Sequence, residues 1–91
     1  MEVSIIIPVH NEAGNLKELV EKIYFLALEK FELILVDDGS TDDSIVKLNK
    51  LIEKKCFQNL VIIKNDQRQG QTKAILKGIR VARYDNVITL D

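Results

Sequence analysis

Hydrophobic positions along this chain follow two alternating patterns. Short runs of adjacent aliphatic residues give way to longer stretches in which apolar residues recur every three or four positions. Val3 to Val9 shows the first pattern. Its three consecutive isoleucines, Ile5 to Ile7, favour a strand buried on both faces. Pro8 has no N–H to give to a ladder, so it is expected to mark the end of that strand. From about Glu12 to Leu28 the second pattern takes over. Leu16, Leu19, Val20, Ile23, Leu26 and Ala27 share one side of a helix, with Lys17, Glu18, Glu21 and Lys22 on the other. Asn11 is the expected N-cap and Glu12 the first-turn acid.

Phe31 to Val36 is the second expected strand. Asp37 and Asp38 follow it directly, and Gly39 permits a sharp turn. Ser40 with Asp43 loosely matches a capping box. Ile45, Leu48, Leu51 and Ile52 mark a second helix, with Lys54 and Lys55 in its last turn. Leu60 to Ile63 is a short third strand, and Asn65 to Gln71 a polar loop holding Gly70. Ala74, Ile75, Gly78, Ile79 and Ala82 lie on one face of a third helix. Gly78 costs that helix about 1 kcal/mol against alanine, so close packing on a sheet is expected there. Asn86 to Leu90 is a fourth strand, with Asp91 at its end.

The resulting β-α-β-α-β-α-β order predicts an α/β, Rossmann-like fold with a parallel sheet and right-handed crossovers. Doubly wound, the strands take the order 3-2-1-4, with the switch point between the first and fourth. Those two strands end in Pro8 to Glu12 and in Asp91, and the second strand brings Asp37 and Asp38 alongside. Topology alone therefore gathers four acids, Glu12, Asp37, Asp38 and Asp91, at one edge of the sheet. Acids this dense call for a divalent cation, or for donors such as a nucleobase imide or ribose hydroxyls. Asp42 and Asp43 are read instead as first-turn acids of the second helix. His10 offers a flat ring for a base to stack on. Lys73 and Arg68 are cations suited to phosphate.

Composition narrows the classes further. The chain has 91 residues, enough for one domain, and 46 % are apolar. Its 13 basic and 14 acidic residues give a net charge of -1, which does not support nucleic-acid binding. Cys56 is the single cysteine and is read as an idle or packed thiol. No apolar stretch approaches the roughly 20 residues of a membrane-crossing helix, and the N-terminus lacks a signal-peptide pattern. Neither G-x-x-x-x-G-K-[ST] nor G-x-G-x-x-G occurs.

Four segments resemble the amino-terminal part of the family 2 glycosyltransferases, which have the GT-A fold. They are V-S-I-I-I-P-V-H-N-E (3–12), V-D-D-G-S-T-D (36–42), the spacing of Gly70, Ala74 and Gly78, and V-I-T-L-D (87–91). G-Q-T-K-A (70–74) with I-T-L-D is most similar to the subgroup that loads a sugar onto a polyprenyl phosphate, dolichol-phosphate mannosyltransferase relatives included. The resemblance implies that the chain is the nucleotide-binding half of the GT-A fold. It implies a nucleotide site containing Pro8, His10, Glu12, Asp37, Asp38, Gly70 and Lys73. Asp38 would accept from the base imide and Asp37 would support that loop. Asp91 would be the first acid of a D-x-D motif, facing Mg2+ or Mn2+ and a diphosphate. His10 stands where tyrosine is commoner, and Tyr84 where a glycine usually precedes the acid at Asp85.

The implied reaction transfers a sugar, with inversion, from a UDP- or GDP-sugar to a lipid-phosphate or glycan acceptor. The second D-x-D acid, the acceptor site and the base are expected beyond Asp91, so no catalytic residue is assigned within this chain. The chain is thus expected to be truncated at its C-terminus, with the edge of its fourth strand open to self-association. The implied location is cytoplasmic, at the cytoplasmic face of a membrane for the full-length protein. Two other readings stay open at this point. One is a receiver-like signalling domain, which the acids after the second strand and Pro8 after the first do not suit. The other is a non-catalytic nucleotide-binding module.

Overall fold

Aliphatic runs with both faces apolar form parallel strands only if helices cover both sides of the sheet. A computed structural model of the protein, describing residues 2–12, 14–25, 30–53 and 59–90, shows that arrangement. The strands are β1 (Glu2–Val9), β2 (Lys30–Asp38), β3 (Leu60–Asn65) and β4 (Asn86–Thr89). They alternate with α1 (Leu16–Phe25), α2 (Ser44–Glu53) and α3 (Gln71–Val81). All pairings are parallel and the order is β3-β2-β1-β4, as the alternation predicts. A receiver-like fold would run 2-1-3-4-5, so that reading fails on topology.

Side chains alternate across the strands and divide the core in two. Val3, Ile5, Ile7 and Val9 of β1 meet Leu33 and Leu35 of β2 and Leu16, Val20 and Ile23 of α1. α2 lies beside α1. On the opposite face Ile6, Ile34 and Val36 pack against Ala74 of α3. Gly78 lies on the same side of α3. A Cβ built there would approach Ile6 Cγ2 to 2.6 Å, so the glycine lets the helix settle onto the sheet.

A buried polar network closes the amino-terminal end of the sheet. Ser4 Oγ donates to Glu32 Oε2 at 2.6 Å and accepts from the Tyr84 N–H at 3.2 Å. The Arg83 N–H also donates to Glu32 Oε2. Glu32 is thus buried but supplied with donors, and the turn into β4 is fixed through Tyr84.

Several boundaries differ from the sequence expectation, β3 continuing to Asn65 and α3 beginning at Gln71 among them. β1 continues past Pro8 to Val9. Ile6 O accepts from Leu90 N, so Ile6 faces β4, and Pro8, two residues on, faces the same side beyond the last β4 pair. Its missing N–H therefore costs no ladder bond among the described residues. β2 runs two residues further than Val36, because Asp37 and Asp38 find register partners in Lys64 and Asn65 of β3. α1 begins at Leu16 and not at Glu12. Asn11 has φ +52°, and Glu12 O accepts from the N–H groups of Asn15 and Leu16 in a turn before the helix. The expectations for Leu26 to Leu28, Lys54, Lys55 and Cys56 lie outside the described residues.

Replacing Gly78 with alanine is expected to destabilise the fold by about 1 kcal/mol. Overpacking against the stiff, buried Ile6 costs about 1–3 kcal/mol, and the gain in helix propensity, about 1 kcal/mol, offsets only part of it. Urea denaturation of Gly78→Ala beside the wild type measures the difference, and an unchanged midpoint would contradict the close packing.

Candidate functional site

The carboxyl ends of β1 and β2 turn away at positive φ, at Asn11 (+52°) and Gly39 (+68°). These turns bring two loops together. The Asn11 N–H donates to Ser40 Oγ at 3.0 Å. Asn11 Oδ1 accepts from the N–H groups of Thr41 at 2.8 Å and Asp42 at 3.2 Å, and from Thr41 Oγ1 at 3.3 Å. Asn11 therefore braces the β2–α2 loop and does not cap α1. The capping box proposed for Ser40 and Asp43 does not form, since Ser40 is turned toward Asn11. Asp42 takes the capping role, accepting at Oδ1 from Ser44 N at 3.0 Å and from Ser44 Oγ.

Strand alternation separates the two adjacent acids. Asp37 shares its face with Leu33 and Leu35, is fully buried, and has no hydrogen-bond partner among the described residues. Asp38 shares its face with Ile34 and Val36 and points toward the β3–α3 loop. Its Oδ1 accepts from Gln69 N at 2.7 Å and Asn65 Nδ2 at 3.1 Å, and its Oδ2 from Gly70 N at 2.9 Å. Burial alone would raise the Asp38 pKa. The Gln69 N–H, the Asn65 amide, the Gly70 N–H and the Arg68 charge together outweigh burial and hold it below the usual carboxylate value.

His10 is positioned by the same residue. Its Nδ1 lies 2.9 Å from the Asp38 carbonyl oxygen, an acceptor only, so Nδ1 carries the proton. Nε2 is then left to accept from Asn11 Nδ2 at 3.4 Å. Gly39 permits the last approach. A Cβ there would lie 2.5 Å from Arg68 N and 2.8 Å from Gln67 C, both backbone atoms.

These contacts frame a pocket of about 200 Å³ lined by Pro8, Val9, His10, Glu12, Asp38, Arg68 and Gln71. It brings together Pro8, His10, Glu12 and Asp38 as the topology argument expects. Gly70 acts on it through the N–H given to Asp38. Asp37 does not line it, because its side chain lies on the other face of the sheet. Lys73 lines a separate, larger groove beside α3. Asp91 lies outside the described residues. Asn11, Asn65, Arg68 and Gln71 gain site roles that sequence patterning did not single out, apart from the cationic character of Arg68. Their one signal was position, in polar segments directly after strand ends.

Among the described residues no three His, Cys, Asp or Glu side chains converge on one point.

The family model for glycosyl transferase family 2 matches residues 4–91. An undecaprenyl-phosphate 4-deoxy-4-formamido-L-arabinose transferase of Pseudomonas aeruginosa is 42 % identical over 92 residues, covering 98 % of this chain and 27 % of that protein. A dodecaprenyl-phosphate galacturonate synthase of Rhizobium johnstonii is 35 % identical over 94 residues, covering 100 % of this chain and 28 % of its own. Among solved structures, the mannosyltransferase PcManGT from Pyrobaculum calidifontis, in complex with GDP-Man and Mn2+, is similar with a TM-score of 0.79 and 28 % identity. That match covers 88 % of this chain and 24 % of the other. S. aureus TarS 1-349 gives a TM-score of 0.86 and 26 % identity, over 100 % of this chain and 27 % of the other. The chain thus spans little more than a quarter of the length of the relatives it matches.

The Asp38 bonds predict a specific pH dependence. Its folded pKa is depressed, so its stabilising contribution is complete above the unfolded value, about 3.9, and is lost as pH falls through the folded one. Asp38→Asn is expected to lose about 1–3 kcal/mol at neutral pH, from one donor left facing an amide NH2 and the lost charge. The gap from wild type should narrow toward acid pH. Denaturation midpoints measured across the acid range check this, and a gap independent of pH would contradict it.

Proposed function

The chain belongs to glycosyl transferase family 2, and on that premise we propose that it forms the donor-binding portion of an inverting glycosyltransferase. The enzyme moves a sugar from a nucleoside diphosphate sugar to a polyprenyl phosphate. The observation that carries this reading is the pocket at the carboxyl ends of β1 and β2, with His10, Glu12, Asp38 and Arg68 on its walls. Open parallel sheets bind ligands at this edge.

Each residue has a task in that reading. A carboxylate has about four lone-pair sites. Chain donors take three of those at Asp38, and the remaining one, on Oδ2, accepts from the imide of the base. The His10 ring, fixed by the Asp38 carbonyl, stacks on the base. Glu12 accepts from ribose hydroxyls, and Arg68 offsets phosphate charge. Pro8 shapes the floor without offering a competing N–H. Gly70 acts through Asp38, whereas the buried Asp37 carboxylate makes no hydrogen bond to the loop among the described residues. Both UDP- and GDP-sugars suit these contacts. Metal ligation in this chain is assigned to Asp91, the proposed first acid of D-x-D, with Mg2+ or Mn2+ as the ion. When bound, such an ion stabilises the leaving diphosphate as a Lewis acid.

The polyprenyl-phosphate acceptor is proposed from the two lipid-phosphate transferases whose sequences the chain matches. No helix among the described residues is long and apolar enough to cross a membrane. The full-length protein is placed at the cytoplasmic face, where its lipid acceptor is reached from the surface.

Two measurements test this reading. Calorimetric titration with UDP and with GDP, each with and without Mn2+, is expected to show saturable binding of one nucleotide. His10→Ala should weaken it by about 1–3 kcal/mol, the usual worth of a base–aromatic stack. Failure of both nucleotides to bind would remove the donor-site assignment. The 91-residue chain by itself is expected to transfer no sugar from a nucleoside diphosphate sugar to polyprenyl phosphate. Turnover above background would show that the base lies within it.

A further inference from the structure

Beside the nucleotide pocket, and sharing no residue with it, an open groove of about 750 Å³ runs between β3 and α3. Lys64, Lys73, Lys77 and Arg80 line it, with Asp66 its one acid. The chain as a whole has a net charge of -1, so this concentration of cations is local. α1 provides the contrast. There the cations are paired at i,i+4 spacing, Lys17 with Glu21 at 3.9 Å and Lys22 with Glu18 at 3.1 Å. α3 contains no acid at all. Lys73, Lys77 and Arg80 instead follow one another at i, i+4 and i+7, where like charges repel. Among the described residues none of the four groove cations has an acidic ion-pair partner.

The groove is also braced from beneath. Asn65 is buried, and its Oδ1 accepts from Lys77 Nζ while its Nδ2 donates to Asp38 Oδ1. One amide thus fixes a groove cation and the pocket carboxylate together. Leu76, 47 % exposed, lines the groove among the cations. Exposed apolar surface flanked by lysine and arginine is the composition that suits a headgroup boundary.

We propose that this groove docks on the phosphate headgroups of an anionic bilayer. Three helix cations spread over two turns span about 10 Å, more than one phosphate covers but well matched to an array of headgroups. The choice of a lipid source over a soluble phosphate rests on the polyprenyl-phosphate acceptor proposed above. Docking here would hold the nucleotide pocket beside the bilayer, with Asn65 tying the docking cation Lys77 to the pocket acid.

The test is co-sedimentation of the chain with vesicles of phosphatidylcholine alone and of phosphatidylcholine mixed with phosphatidylglycerol. Partition onto the anionic vesicles only is expected, and its loss at about 0.5 M salt, where screening is short-ranged. The exposed pair Lys64→Gln with Arg80→Gln should lower that partition by roughly fivefold for each cation removed, while nucleotide titration stays unchanged. Equal binding to both vesicles, no binding to either, or a double variant that binds like the wild type would each overturn the proposal. So would saturable binding of pyrophosphate, or capture by single-stranded RNA, without vesicle binding. The salt dependence needs only the wild-type chain, so a poorly folded variant leaves the test intact. Nucleotide titration is independent of the vesicles, so loss of the donor site and loss of the docking surface read out separately.

Discussion

The candidate site depends on one buried carboxylate. Asp38 ends β2 and accepts from three donors, two of them backbone N–H groups of the β3–α3 loop. Its carbonyl oxygen accepts from His10 at the end of β1. A buried charge is costly unless donors meet it, and here those donors are the loops that shape the pocket. Burial, loop position and the His10 tautomer are therefore linked through a single residue.

Two further features keep those loops in place. Asn11 accepts from successive N–H groups of the β2–α2 loop, and Gly39 lets that loop touch the backbone of Arg68. Each sits at positive φ, where chain reversal at a strand end is sharp. The opposite end of the sheet is held differently. Ser4 and Glu32 bind the N–H groups of Arg83 and Tyr84 in a buried network remote from the pocket. The buried network thus lies at the amino ends of the strands and the pocket at their carboxyl ends, the edge at which open α/β sheets bind ligands.

The pocket and the basic groove lie on either side of the 66–70 loop. Asn65 reaches both, because its amide has a donor end and an acceptor end. That bridge gives the two surfaces a common mechanical element without a shared lining residue.

Much of this was legible in the residues themselves. Continuous aliphatic runs separated by amphipathic helices pointed to a parallel sheet, and the usual doubly wound arrangement then predicted the order 3-2-1-4. Pro8, His10, Glu12 and Asp38 followed as pocket residues from topology, since strand ends carry them to one edge. Gly78 was readable as a packing glycine because its helix cost needed a reason. The tertiary structure alone decided the rest. Asp37 and Asp38 are neighbours in sequence, yet the two-residue period of the strand puts them on opposite faces. Asn11 looked like a helix cap, but its amide found better donors across the loop, and such partners are separated by about thirty residues. Local pattern determines which elements form, while their ends also depend on partners across the sheet. Which polar side chain meets which donor depends on distances between loops, and only the folded sheet sets those.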